Sequence, residues 1–179
     1  MQIHDKHFDP FLSQEVIRQA VTTIATSITD DYRGCDLVCI VVLKGSFIFA
    51  ADLVRAIDVP CRVEFLSAKS YGSSMTSLGD VVIELPNLDI TGKHVLLIED
   101  IVDTGLTISA LQSALWKFHP ASLEVAALIS KPAMRKVNLT VKYQGIEIPP
   151  FFIVGYGLDY AEYGRNLPEI WALAESTEK

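Results

Sequence analysis

Three nearly unbroken apolar runs, each ended by a polar turn, set the strongest limit on how this 179-residue chain can fold. They are Leu37 to Leu43 (LVCIVVL), His94 to Ile98 (HVLLI) and Leu123 to Ile129 (LEVAALI). A strand with one wet face alternates apolar and polar residues, whereas an unalternated run belongs to a strand covered on both faces, as in parallel sheets. Helical spacing lies between the runs, over Phe47 to Ile57 and over about Ile108 to Phe118. Parallel neighbours require a crossover of this kind, so the repeated strand, turn and helix order predicts an α/β fold with a mostly parallel central sheet flanked by helices.

The weaker segments fit around that frame. Leu12 to Tyr32 carries Val16, Ile17, Ala20, Val21, Ile24, Ala25 and Ile28 at helical spacing, with Ser13 placed as the cap. Cys61 to Ser67 and Val81 to Leu85 read as strands, with Phe151 to Tyr156 and Trp171 to Ala174 as short strand candidates. The N-terminal residues before Leu12 read as a short polar arm, and Lys131 to Pro150 as an irregular flap or subdomain. Lys69 to Asp80 (KSYGSSMTSLGD) has too few apolar residues to anchor itself and reads as a mobile excursion. Neither a linker nor an internal repeat divides the chain, so residues 1–179 are expected to form one domain.

Fifteen Lys and Arg against twenty-two Asp and Glu give a net charge of −7, which disfavours non-specific attraction to nucleic acid or anionic membrane. An anionic small substrate stays open, because a few backbone N–H groups suffice to hold a phosphate locally. The three cysteines, Cys35, Cys39 and Cys61, form no C-x-x-C pair and read as small hydrophobes in a reducing compartment. The polar start MQIHDKHFDPFLS does not resemble a signal peptide, so a cytoplasmic location is the expectation.

Chemistry concentrates after the second apolar run, in Glu99-Asp100-Ile-Val-Asp103-Thr104-Gly105-Leu106-Thr107. Ligands of parallel α/β sheets bind beyond the carboxyl ends of the strands, where this segment falls. Gly105 permits a tight path, and the N–H groups of Thr104 to Thr107 would converge near a helix start as a cradle for one phosphate. Glu99 and Asp100 suit vicinal ribose hydroxyls, Mg²⁺, or both, since diols donate hydrogen bonds to carboxylates and Mg²⁺ takes oxygen ligands. A phosphorylated sugar satisfies every group. Elsewhere, Gly45 allows close backbone approach, and Lys44 and Lys131 follow buried strands.

The acidic segment resembles the phosphoribosyl-diphosphate motif of the type I phosphoribosyltransferases: an aliphatic strand, two acids, two aliphatics, then Asp-Thr-Gly-x-Thr. Leu43-Lys44-Gly45-Ser46 is similar to the diphosphate loop of the hypoxanthine-guanine phosphoribosyltransferases, short bacterial type, where a cis peptide joins the residues matching Leu43 and Lys44. The resemblance runs in family order from the first helix to Trp171. It implies a type I phosphoribosyltransferase fold with a mobile active-site loop and a small hood formed by terminal segments.

In activity, it implies transfer of the phosphoribosyl group from 5-phospho-α-D-ribosyl 1-diphosphate to N9 of hypoxanthine, and of guanine as well, with Mg²⁺ as cofactor. Leu43, Lys44, Gly45, Glu99, Asp100, Asp103, Thr104, Gly105, Leu106, Thr107 and Arg165 then match the phosphoribosyl-diphosphate site, with Asp103 as the catalytic proton acceptor. Lys131, Phe152, Ile153 and Asp159 match the purine site; Glu99, Asp100 and Asp159 match the metal site; Ser70 and Tyr71 match the lid. A homodimer or homotetramer is implied too, with no nucleic-acid or membrane partner. Leu106 departs from enzymes carrying a lysine there, a change that a backbone cradle tolerates.

Competing readings are a related enzyme preferring xanthine, adenine or orotate, a non-catalytic phosphoribosyl-diphosphate-sensing regulator, and a purely structural α/β protein. Kinase-like and dinucleotide readings lack their motifs: there is no G-x-x-x-x-G-K-[ST], and Tyr160 stands where a third glycine would complete Gly155-Tyr-Gly157. His4, His7, His94 and His119 form no spaced metal set, and Ser109 lacks the glycines of a nucleophile elbow.

Overall fold

The computed structural model describes residues 1–70, 81–84 and 88–174. Ten strands and three α-helices occur among them. Strand β1 is Gln2–Ile3, β2 Lys6–Leu12, β3 Leu37–Leu43, β4 Cys61–Ser70, β5 Val81–Glu84, β6 His94–Val102, β7 Ser122–Ser130, β8 Tyr143–Glu147, β9 Ile153–Val154 and β10 Ile170–Leu173; the helices are α1 Gln14–Asp31, α2 Phe47–Ala56 and α3 Leu106–Leu115.

The main sheet has the order β5-β4-β3-β6-β7-β8, parallel throughout except for β5. Its central strand shows why the first apolar run does not alternate. Val38, Ile40 and Val42 pack with Leu97, Val125 and Leu111 on one side, while Cys39 and Val41 face Ile24, Phe49 and Leu53 of α1 and α2 on the other. Both faces are covered, so each position is apolar. On α1, Ser13 Oγ accepts the N–H of Val16 at 3.4 Å, satisfying one of the helix's free N-terminal donors. Ile17, Val21, Ile24, Ala25 and Ile28 are buried, but Val16 lies on the exposed side of the stripe.

Two segments differ from expectation. The N-terminal segment is more than a polar arm: β2 pairs antiparallel with β10, from Phe8 opposite Leu173 to Leu12 opposite Ile170, and Phe8 is fully buried. Its partner lies at the other end of the chain, so local periodicity carries no trace of the pairing. With β1 and β9 it forms the second sheet, in the order β1-β2-β10-β9, a small hood made of terminal segments. The supposed flap, for its part, contains β8, an edge strand parallel to β7 with Ile146 opposite Ile129. YQGIE has little strand propensity of its own, and the free edge of β7 sets its conformation.

After β3 the chain crosses to β4 on one side; β6 then begins on the other. The loops leaving β3 and β6 therefore diverge and leave a crevice at the carboxyl end of the sheet, the switch point at which such folds bind ligands.

Candidate active site

Asp100 and Gly45 meet across that crevice. A Cβ at residue 45 would overlap the Asp100 carboxylate, and Gly157, at φ +100°, packs so closely over Gly45 that its own Cβ would strike the Gly45 carbonyl oxygen. Both positions require glycine because backbone and carboxylate are in contact. The Leu43–Lys44 peptide is cis, as the resemblance implied. Ser46, fully buried, joins the two loops: its hydroxyl donates to Val42 O at 2.6 Å and accepts the Asp100 N–H at 3.1 Å, with Glu99 Oε2 3.5 Å away.

Glu99 and Asp100 belong to β6, which extends to Val102, and do not follow it as a loop. Burial, with the neighbouring Asp100 charge, pushes Glu99 well above the usual carboxylate range, against a smaller opposing pull from Ser46. Burial likewise raises Asp100 to about 6, despite the Ile101 N–H donated to its Oδ1 at 2.8 Å and the Arg165 charge; Asp159 adds to the rise. Two adjacent carboxylates thus sit where their ionised forms are costly unless a cation or hydrogen-bond donors arrive.

The next turn forms a concavity of about 80 Å³ lined by Glu99, Asp103, Thr104, Gly105, Thr107 and Ile108 among others. Gly105, at φ +81°, starts α3 without any side-chain cap. Leu106 N–H reaches only Thr104 Oγ1 at 3.4 Å, and the N–H groups of Thr104, Gly105, Thr107 and Ile108 have no partner among the described residues. Free donors and a positive helix end favour an anion there. Leu106 brings no charge to this cradle, and the helix begins two residues earlier than its spacing predicts.

Asp103 Oδ1 is buried and accepts no hydrogen bond among the described residues, while Oδ2 lies 3.7 Å from the ammonium of Lys131, itself almost fully buried beyond β7. Lys131 N–H donates to Val102 O at 3.0 Å, which fixes the lysine beside the turn. Phe152 is 46% exposed, with its ring against Phe8 and Tyr160 at centroid distances of 6.3 and 5.8 Å, and Ile153 is buried beside it in β9. Asp159 turns its carboxylate to Arg165, 2.7 Å from Nη2, and to the Glu162 N–H at 2.8 Å. Arg165 also donates to Gly157 O at 2.9 Å.

Three participants were not singled out from the sequence. Glu162 stands between the two cations matched to the diphosphate: its Oε2 is 3.1 Å from Lys44 Nζ and 3.6 Å from Arg165 Nη2. Tyr160 shares the aromatic wall with Phe152. Arg135 spans Asp103 O at 2.9 Å and Ser130 Oγ at 2.8 Å. None lies on a periodic pattern, and only the basic cluster Lys131-Pro-Ala-Met-Arg-Lys136 could have drawn attention to Arg135. Ser70 ends β4; Tyr71 lies outside the described residues. A larger groove of about 720 Å³ between α1 and α2, lined by Arg18, Asp52 and Arg55 among others, contains none of the site residues.

A family model described as the phosphoribosyl transferase domain matches residues 8–161. The chain belongs to this phosphoribosyltransferase family. It is 42% identical over 165 residues to the hypoxanthine phosphoribosyltransferase of Haemophilus influenzae, covering 90% of this chain and 92% of that protein. It is 40% identical over 176 residues to the hypoxanthine-guanine phosphoribosyltransferase of Aquifex aeolicus, covering 97% and 99%. Among solved structures, the hypoxanthine phosphoribosyltransferase of Staphylococcus aureus matches this phosphoribosyltransferase with a TM-score of 0.89 at 38% identity, over 96% of this chain and 94% of that one. A hypoxanthine-guanine phosphoribosyltransferase of Bacillus anthracis, crystallised with a HEPES molecule in the active site, matches with a TM-score of 0.88 at 43% identity, over 93% and 98%.

Proposed function

We propose that this phosphoribosyltransferase joins hypoxanthine, and guanine as well, to 5-phospho-α-D-ribosyl 1-diphosphate, a Mg²⁺-dependent salvage reaction of the cytoplasm carried out by a homodimer or homotetramer. The observation that carries the reading is the turn from Asp103 to Thr107, which offers an uncapped helix start for a phosphate and, beside it, the half-exposed Asp103 carboxylate. The names of relatives about 40% identical over nearly the whole chain support the same substrates.

The free N–H groups of Thr104, Gly105, Thr107 and Ile108 take the 5'-phosphate, and Glu99 and Asp100 face the ribose hydroxyls. Phe152 stacks on the purine, the backbone at Ile153 reads its edge, and Lys131 donates to the 6-oxo group. N9 then bonds to the anomeric carbon as the bond from that carbon to the diphosphate oxygen breaks. The proton displaced from the purine passes to the half-exposed Asp103 carboxylate. Fixing both partners in line removes much of the entropic part of the barrier. Lys44, the backbone at Gly45, and Arg165 face the departing diphosphate.

The donor set fits Mg²⁺. Glu99 and Asp100 offer oxygen ligands only, and a cation would relieve the cost of ionising two adjacent carboxylates, one half-buried and one buried. Asp159 can join them on leaving Arg165. Bound there, Mg²⁺ supplies charge neutralisation for the diphosphate.

Steady-state turnover with hypoxanthine, guanine, xanthine and adenine, at fixed phosphoribosyl diphosphate and with or without Mg²⁺, tests the assignment. Turnover of the first two, abolished by chelation, is expected; inactivity with all four bases rejects it.

A further inference from the structure

The phosphate turn does not hold its own shape. Gly105 begins α3 with no side-chain cap, and the turn's outward carbonyls are held by the loop after β7. Arg135 Nη1 donates to Asp103 O at 2.9 Å while Nη2 of the same guanidinium donates to Ser130 Oγ at 2.8 Å. The next residue continues the contact, with Lys136 N–H donating to Thr104 O at 2.9 Å. Two successive carbonyls of the turn, at 103 and 104, are therefore captured from the same side.

Peptide geometry turns this into a statement about the cradle. Both peptides are trans, the one cis bond among the described residues being Leu43–Lys44. In a trans peptide the C=O of one residue and the N–H of the next point in opposite directions. Holding Asp103 O toward Arg135 therefore aims the Thr104 N–H away from it, and holding Thr104 O toward Lys136 does the same for the Gly105 N–H. These N–H groups belong to residues that line the small concavity and have no partner among the described residues. Side chains of the same loop, Val137 and Leu139, lie so close to Gly105 that a Cβ there would be 3.0 to 3.2 Å from them, so the turn has little room to rotate.

We propose that Arg135 is a positioning residue for the phosphate subsite: its fork, anchored on buried Ser130, locks the Asp103–Thr104 peptide with its N–H directed at the phosphate. A planar fork with donors in fixed geometry can span a carbonyl and a hydroxyl at once, which an ammonium on a flexible stem does poorly. Arg135 need not touch substrate. Its effect passes through the peptide, and the loop bearing Lys131 of the purine subsite is tied to the phosphate turn by the same contact.

The inference rests on the assignment of that turn to the 5'-phosphate, so its test separates the two. Dissociation constants for inosine 5'-monophosphate, inosine and inorganic diphosphate are measured by calorimetry on the full chain and its variants. If the unaltered protein does not favour the nucleotide over the nucleoside, the phosphate assignment itself fails. If it does, Arg135→Met is expected to shrink that preference at least tenfold while leaving diphosphate affinity within twofold, a split that general destabilisation would not produce. Arg135→Lys keeps the charge without the fork and is expected to stay at least fivefold below the normal preference. Should Arg135→Met not fold, Ser130→Ala releases one prong of the fork and is expected to lower the preference two- to fivefold. An unaltered preference in Arg135→Met, or in Ser130→Ala where that variant stands in, or full recovery with Lys, overturns the proposal.

Discussion

Lys131 Nζ and Asp103 Oδ2 stand 3.7 Å apart, a separation that keeps their charges in contact while leaving each free to bind something else. The lysine comes from the end of β7 and the aspartate from the turn after β6, neighbouring strands whose last paired residues are Ser130 and Val102. Sheet register thus fixes the spacing between a donor suited to a purine oxygen and an acceptor suited to a purine proton. A one-residue slip of β7 against β6 would turn its side chains to the opposite face and break this alignment.

Removing the acceptor is the first check on this arrangement. Asp103→Asn keeps the side-chain volume but cannot take a proton, so kcat should fall about a hundredfold to ten-thousandfold, the usual range for a lost general base. Phosphoribosyl-diphosphate binding, which the proposed function assigns largely to backbone donors, should change much less. An unchanged kcat in steady-state assays removes Asp103 from proton handling.

For Lys131→Met the expected loss is in base recognition. A hydrogen bond from a charged donor contributes about 1.5–3 kcal/mol, so KM for hypoxanthine should rise roughly ten- to a hundredfold. The control is a purine lacking the 6-oxo group, whose binding should be nearly indifferent to the substitution. Equal losses for both ligands would place the ammonium away from O6.

Gly45→Ala tests the contact at the switch point. The added methyl overlaps the Asp100 carboxylate, and overpacking of this kind costs about 1–3 kcal/mol, or about 2–10 °C in Tm for a chain of this length. Activity should fall with it, because Asp100 must move. In an Asp100→Ala background the methyl has room, so the stability cost of Gly45→Ala should shrink. Additive costs in the double-mutant cycle would show that the two residues do not meet.

What could be read from the sequence depended on how local its physics is. The unalternated runs of β3, β6 and β7 could be read because two-sided burial demands apolar residues throughout, and the acidic turn because its backbone needs Gly105 and its chemistry needs carboxylates. β2 and β8 could not, since each is a strand only by virtue of an edge supplied from elsewhere: β10 for Phe8 to Leu12, β7 for Tyr143 to Glu147. The same divide runs through the site. Asp103 and Lys131 announce themselves as residues just past buried strands, whereas Arg135 and Glu162 act through contacts that no spacing encodes.

Glu162 gives a prediction of opposite sign. Its carboxylate bridges Lys44 and Arg165, and the Lys44 contact holds its pKa below the usual range. A diphosphate approaching those cations must displace it. Glu162→Gln should therefore tighten binding of inorganic diphosphate; exposed ion pairs are weak, so about a two- to fivefold gain is expected in titration calorimetry. Weaker binding would mean that Glu162 helps to position the cations and does not compete for them.

Buried Asp100, beside half-buried Glu99, makes stability depend on pH in a direction that can be worked out. Asp100 titrates at about 6 in the fold against an ordinary 3.8, so the folded state holds its proton more tightly than the unfolded chain does. Stability from this group is greatest below the unfolded value and falls as pH rises from about 4 through 6, by about 2–4 kcal/mol in all. Asp100→Asn keeps an acceptor for the Ile101 N–H and removes the charge, relieving Glu99 as well. With metal chelated, the variant should melt about 5–10 °C above the unaltered protein at pH 8, and the two should converge near pH 4. Its catalytic activity should be lost, as expected where a site keeps a costly charge for its ligand. A lower melting temperature for the variant at pH 8 would mean that the ionised carboxylate stabilises the fold.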